Sequence, residues 1–456
     1  MSTAPGRPLP GALPQPAPSG RATAAALTAY AAGSVGMGVW VTVPGLLLLY
    51  FLTNSLGVSP SLAGVALLLP RVLDTLVHPL LGSLSDRQAR RSGHRLGMLR
   101  WGLLLAAAMV AVFTVPAGWQ GLPAALWVGG WFAVGNLLFA SFQVPYLTTP
   151  SDLRIGYHER TRVFMYRMLF LTLGLLGAGV AAPALVQGGG RAGYARMALL
   201  LGGAMVVCGL VAVSGVRRLT AECGFRVPRR QPHSLVGDTG TAWRDRDFRA
   251  LVLSYLLTGT TTHLFLAGLP FYTDHILHDD TLTTVLMGCF LCPAVLAGPG
   301  WTALSRRIGK QRGLLFSQGV FIVGSLALSM GGRLGTATTA AVVVAMGCAF
   351  AGLQLFAFSM VPDAVAAAEA RGTALAGAYT GVWTATDAAG TAVGPYLYSA
   401  VLTAGGFVSS ADGRTAVQSH GALTALLGGF TLVPAALMAG ALALQLRCRL
   451  ESRSAR

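Results

Sequence analysis

Arg71, Asp74 and His78 lie close together in "PRVLDTLVHPLLGSLSDR" (70–87), a stretch otherwise dominated by Leu and Val. At 100° per residue the three fall within about 60° of one another on one helical face. Pro79 follows directly and opens the backbone ladder. A carboxylate and an imidazole one turn apart can exchange a proton, because histidine titrates near neutral pH. In lipid such groups are costly. Arg and Asp at a helix centre cost about 2.5–3.5 kcal/mol each, while each Leu or Val returns about 0.3–0.6 kcal/mol. Residues 61–85 hold twelve Leu and Val, so gain and cost nearly cancel at roughly 6 kcal/mol each way. Such a helix inserts when its polar face meets partners or water, which points to the wall of an aqueous cavity.

A second polar stripe runs through Thr380, Trp383, Thr384, Asp387 and Thr391 at i, i+3/i+4 and i+7 spacing. An acid there beside threonines and a tryptophan suits a cationic or polyol solute or a second proton site. Pairing with Arg71 or Arg167 is the structural alternative. Asn136 and Gln143 are seven apart on one face and serve equally as substrate contacts or as interhelical amide bonds. His263 in "TGTTTHLFLAGLPFY" is a further candidate for a cavity wall. Asp274, His275, His278, Asp279 and Asp280 cluster where an outer loop is expected and read as a solvated turn rather than a metal site.

These residues need long apolar elements to hold them. Of 456 residues, 54% are hydrophobic and 11% charged, against roughly 25% charged in ordinary soluble domains. Several apolar runs reach the ~20 residues that span a bilayer. Twelve spans are expected, at about 24–52, 59–85, 96–116, 122–150, 162–186, 196–216, 249–277, 281–305, 313–331, 337–363, 372–404 and 421–446. The fold class is thus an all-α membrane protein. Residues 1–21 and 447–456 read as tails, with no cleaved signal peptide expected. Cys289 and Cys292 form a CxxC inside a span, which reads as small buried residues. The net charge of +17 is a topology signal. Of the 33 Lys and Arg, 27 gather on the side holding both termini. Four (Arg191, Arg196, Arg333 and Arg414) fall on the other side, and Arg71 and Arg167 fall within spans. That asymmetry places both termini in the cytoplasm of a cell-membrane protein.

The chain repeats itself. "GSLSDRQARRSGHR" (82–95) and "GWTALSRRIGKQR" (300–312) start 218 residues apart. "VPYLTTPSDLRIGYHERTR" (from 144) and "VPDAVAAAEARGT" (from 361) start 217 apart. A shared offset implies a duplicated six-helix unit. The expected domains are a bundle at 22–216, a cytoplasmic linker at 217–248 and a second bundle at 249–446.

Gly82, Asp86, Arg87, Arg90 and Arg91 form G-x-x-x-D-R-x-x-R-R, which resembles the signature loop of the major facilitator superfamily. Physically, Gly82 would permit close helix approach, and Asp86 could pair with arginines and a helix start to hold a closed state. "DTLVHPLLGSLSDR" further resembles the second-helix motif of the glycoside–pentoside–hexuronide:cation symporters, the melibiose carrier-like family. "QVPYLTTPSDLRIGYHERTRVFMYR" (143–167) and "MVPDAVAAAEARGTALAGAYTG" (360–381) resemble two of its other segments. The resemblance implies two six-helix pseudo-repeats with solute and coupling ion between them. Asp74 stands at its first cation-site carboxylate, His78 replaces the second, and Arg167 matches a fifth-helix arginine. A histidine argues against sodium and for a proton. The sugar-binding positions depart: the acids of helices one and four correspond to Gly38 and Gln143, an aromatic to Leu147, and a helix-eleven lysine to Asp387.

The expectation is a secondary active transporter of a small organic solute, a proton-coupled symporter working by alternating access. Cation or proton coupling falls to Asp74, His78 and Asp387. Substrate binding falls to Arg71, Asn136, Gln143, Arg167, His263, Trp383 and Thr384. A proton-antiport exporter of a hydrophobic metabolite or drug is the alternative; a lipid transporter or a non-transporting receptor stands further off. No G-x-S-x-G, H-E-x-x-H or G-x-x-x-x-G-K-[ST] occurs, so no enzyme is expected. Nor is a cofactor, metal or nucleic acid expected; the partners are the solute, a proton and the bilayer, and the chain is expected to be a monomer.

Overall fold

The structure, a computed structural model, describes residues 21–92, 94–187, 190–225, 243–369, 376–411 and 416–448. Most of each expected tail and of the expected linker lies outside the described residues. Within these, the regular elements are fourteen α-helices and two short 3₁₀ turns.

The first half contains α1 (Ala24–Asn54), α2 (Pro60–Ser92), α3 (Leu96–Trp101), α4 (Leu105–Phe113), α5 (Gly121–Asp152), α6 (Tyr157–Val186) and α7 (Gly190–Cys223). The second contains α8 (Arg246–His275), α9 (Leu282–Leu296), α10 (Gly298–Ile308), α11 (Lys310–Leu328), α12 (Thr336–Glu369), α13 (Ala376–Ala404) and α14 (His420–Leu446). Local chemistry sets several boundaries. Thr23, Asp245 and Ser419 cap α1, α8 and α14 by accepting from backbone N–H groups of the first turn. A proline within the first two residues of α10 interrupts the ladder, and α9 and α10 meet at a 53° bend.

Length and apolarity single out eight membrane-spanning helices, or nine if the bent pair α9–α10 is one span, among the described residues. The twelve expected crossings are therefore matched in part. Helices α2, α11 and α13 fall short on these criteria, and α2 and α13 are the two that carry the charged stripes.

The halves are built alike. α1 packs against α6 and α7, and α8 packs against α13 and α14. Across the halves α2 meets α13, α6 meets α9, and α1 meets α8. Gly38 lets α1 cross α6 closely: a Cβ there would stand 2.7 Å from Leu175 N and 2.8 Å from Gly174 C. The backbone at this crossing leaves no room for the acid that the resemblance aligns there.

The hydrogen bonds that join the halves gather at the end opposite the termini. Tyr50 Oη donates to Asp274 Oδ2 at 2.6 Å, and Gln187 Nε2 to Thr284 Oγ1 at 3.0 Å. Gly57 N donates to Ser410 O and Ser410 N to Thr53 O, both at 2.9 Å. Asp274 thus belongs to a seam between halves, with His275 Nδ1 2.9 Å from the same oxygen. Asp279 and Asp280 are exposed, as expected of a turn. Cys292 is exposed rather than buried.

Candidate functional site

Between the halves lies a cavity of about 830 Å³. Helices α1, α2 and α5 form one wall, and α8 and α13 form the other. Arg71, Asp74 and His78 line it from α2 and Gln143 from α5; His263, Thr384 and Asp387 face them from the second half. The remaining lining is largely apolar, including Val41, Leu67, Phe132 and Phe139.

His78 joins the polar groups of the first wall. Its Nδ1 donates to the Asp74 carbonyl at 2.9 Å and stands 3.2 Å from Asp74 Oδ1. Both neighbours are acceptors, so Nδ1 carries a hydrogen. Nε2 stands 3.3 Å from Gln143 Oε1. The amide can offer its oxygen to a protonated ring or, turned over, its NH2 to a neutral one. Gln143 therefore accommodates both charge states of His78 without backbone movement. The Asp74 side chain is 11% exposed and that of His78 33%, so the imidazole is the more accessible of the two. Asp74 Oδ1 is buried, and apart from His78 it has no polar partner among the described residues.

The Arg71 guanidinium lies 5.2 Å from the centre of the Phe132 ring, a cation–π geometry. Asp74 and then Asp387 act on it electrostatically. Asp387 accepts the Tyr255 hydroxyl at Oδ1, 2.7 Å away, so its partner is Tyr255 rather than Arg71 or Arg167. Tyr255 is itself stacked on Trp383, with centroids 4.1 Å apart and planes at 19°. Trp383 is buried behind the wall and does not line the cavity. The Thr384 hydroxyl donates to the Thr380 carbonyl at 3.0 Å, leaving it an acceptor toward the cavity. His263 Nδ1 donates to the Gly259 carbonyl at 2.8 Å.

Two other expected substrate contacts stand elsewhere. Asn136 is 1% exposed and accepts from Trp40 Nε1 at 3.2 Å, tying α5 to α1. Arg167 lies over Phe164 at 5.2 Å, outside the cavity lining. Leu147 also lies outside it.

At the terminus end, Asp86 pairs with Arg95 at 2.8 Å. Arg95, 5% exposed, also donates to Asp152 Oδ2 at 2.5 Å and Ser85 Oγ at 2.7 Å. Burial opposes its charge, but Asp152 and Asp86 outweigh that and push its pKa up. Arg87, Arg90 and Arg91 are exposed. A Cβ on Gly82 would meet nothing within 4 Å, so the close helix approach expected there does not occur. The second half has a counterpart, with Lys310 at the start of α11 2.5 Å from Asp363 on α12.

Sequence reasoning missed Arg95, Tyr255 and the Tyr50–Asp274 pair. Arg95 was findable, as an arginine that closes the same short segment 82–95 in which Asp86 lies. Tyr255 and Tyr50 carry no spacing signal, since their partners are 132 and 224 residues away.

Comparison with known proteins agrees with this architecture. A family model described as MFS/sugar transport protein matches residues 29–452. An uncharacterized symporter of Synechocystis sp. is 30% identical over 148 residues, 31% of this chain and 27% of that protein. The isoprimeverose transporter of Lactiplantibacillus pentosus is 25% identical over 403 residues, 85% of this chain and 80% of that one. Among solved structures, a bacterial homolog of the human lysosomal transporter Spinster, inward-facing and unoccupied, superposes with a TM-score of 0.65. It covers 94% of this chain and 96% of its own at 12% identity, a likeness of fold. With the family model matched over nearly its whole length, the chain belongs to the MFS/sugar transport protein family of multi-pass membrane transporters.

Proposed function

We propose that this protein is a proton-coupled symporter that carries a small organic solute across the cell membrane by alternating access, with both termini in the cytoplasm. The observation that carries this reading is the His78 ring, set between the Asp74 carboxylate and the Gln143 amide on a cavity wall. A proton arriving at Nε2 makes both ring nitrogens donors. Nδ1–H then faces the Asp74 carboxylate and Nε2–H faces Gln143 Oε1, so the imidazolium is held by an anion and an amide. Sodium needs several oxygen ligands and no cation nearby; here His78 contacts Asp74 and Arg71 lies one turn away. The symporter relatives support the direction of coupling, and the isoprimeverose transporter supports a polar organic solute.

The seam at the end opposite the termini supports an inward-facing arrangement, with the cavity reached from the terminus side. Residues 22–216 and 249–446 would move as two bodies about this seam. The Asp86–Arg95–Asp152 cluster and the Lys310–Asp363 pair would brace each body at its cytoplasmic end. The apolar lining at Val41, Leu67, Phe132 and Phe139 favours a second reading, proton-antiport export of a hydrophobic solute.

The test is uptake into proteoliposomes under an imposed pH gradient, over a solute panel that begins with isoprimeverose. Symport predicts accumulation inside liposomes when the outside is acidic, and loss of accumulation with retained solute exchange in Asp74→Asn. Accumulation driven by the opposite gradient would select antiport. A sodium gradient driving uptake at equal pH would overturn the proton assignment.

A further inference from the structure

Asp387 has no role in the proton site just described, yet it lines the same cavity from the opposite half. Among the described residues no ion pair engages it; Tyr255 alone holds it, at Oδ1. The charges facing it can be followed by element. On α2, Arg71 and Asp74 carry opposite charges within one turn and line the same wall. On α5 the polar group is the neutral Gln143, and on α8 it is His263 with Tyr255 behind the wall. With both imidazoles neutral, the first wall sums to zero and the second carries the one negative charge of Asp387. A proton on His78 changes the first wall to +1. The two halves then carry opposite charges across the cavity, and their attraction, screened while water fills it, strengthens as the walls approach and water leaves, which favours drawing them together.

We propose that Asp387 is the residue through which protonation at His78 closes the cavity: the proton creates the positive wall, and Asp387 supplies the anion on the moving half. This rests on the proton-site reading above. Tyr255 is a positioning residue, clamped by its stack on Trp383 and fixing one carboxylate oxygen so that the charge stays on the cavity wall. Closure on the terminus side would place the loaded cavity where the opposite seam can open. Without the anion, protonation would no longer favour closure, and proton binding would separate from movement.

The experiment needs no solute. Spin labels at positions 90 and 307, exposed near the terminus-side ends of α2 and α10, report the separation of the halves by pulsed electron resonance. The protein is the full chain with its six cysteines replaced, reconstituted in lipid. Between about pH 10 and pH 5.5, a range wide enough for a histidine that has a carboxylate neighbour, the parent should shift toward the short distance, and a parent that does not shift overturns the proposal. The closed-to-open ratio should change on the order of tenfold, the usual size of coupling between two sites. Asp387→Asn should abolish the shift, while Asp387→Glu restores it and Tyr255→Phe, which keeps the charge, retains most of it. A full shift in Asp387→Asn, or a folded Asp387→Glu that fails to shift, overturns the proposal. Asp74→Asn separates the two claims. If it keeps the full response, the proton-site reading fails; if it loses the response while Asp387→Asn keeps it, only the role of Asp387 fails.

Discussion

Tyr50 of the first half donates its hydroxyl to Asp274 of the second at 2.6 Å, across the end of the bundle opposite the termini. The carboxylate also takes His275 Nδ1 at 2.9 Å, so one acid gathers a donor from each half. A hydrogen bond to a charged group contributes about 1.5–3 kcal/mol. Tyr50→Phe removes it and leaves the packing in place. The expected result is roughly a tenfold or greater rise in opening at that end, taking 1.4 kcal/mol per decade. The check is the rate at which an impermeant thiol reagent, applied from that side, modifies Ala385→Cys in the cavity wall.

Gln143 serves His78 in either charge state, and its substitutions should separate the two. Gln143→Leu leaves Nε2 without its polar partner and is expected to slow coupled uptake about tenfold, the effect of losing one modest hydrogen bond. Gln143→Glu places an anion against the imidazolium and holds the proton, so uptake at alkaline pH should persist while proton release becomes rate-limiting. Initial rates measured across pH distinguish the two variants: the first lowers the whole profile and the second changes its shape.

Arg95 is buried against Asp152 and reaches Asp86, whereas Arg87, near the end of α2, is exposed. Arg95→Leu leaves the Asp152 carboxylate, 9% exposed, without its cation, and removal of one partner of a buried pair costs about 3–5 kcal/mol. Arg87→Ala should change stability by less than about 1 kcal/mol. Thermal unfolding in detergent compares them, and equal melting temperatures would contradict the contrast.

Gly38 and Gly177 give a matched pair of glycine tests. A Cβ at Gly38 would press on α6 backbone that cannot yield, while one at Gly177 meets nothing within 4 Å. Gly38→Ala is expected to destabilise by about 1–3 kcal/mol, the usual effect of overpacking, and Gly177→Ala to leave the melting temperature unchanged.

Much of this architecture could be read before the structure because its signals are periodic. The polar face of α2 follows from 100° spacing alone, and Arg71, Asp74 and His78 do line one cavity wall. The repeat offset follows from loop composition and many helix limits from hydropathy, although among the described residues eight or nine of the twelve expected crossings are long and apolar enough to span. What could not be read depends on neighbours far apart in sequence. The stripe on α13 predicts Asp387 and Thr384 on the cavity wall, but Trp383, on the same stripe, turns back to stack on Tyr255. Asn136 has the side chain of a substrate contact, and only the packing of α1 on α5 commits it to Trp40. The second-half partner of Tyr50 is a residue that in sequence belongs to an unremarkable acidic turn.

The central claim is that a proton held at Asp74 and His78 travels with the solute. Its most direct measurement is solute-evoked acidification of proteoliposomes that hold a trapped pH indicator, without sodium, for the parent and for Asp74→Asn. The account predicts that the solute which enters acidifies the lumen of parent liposomes and leaves the lumen of Asp74→Asn liposomes unchanged, although exchange of that solute continues. Acidification undiminished in Asp74→Asn, or solute entry that requires sodium and moves no proton, would contradict it.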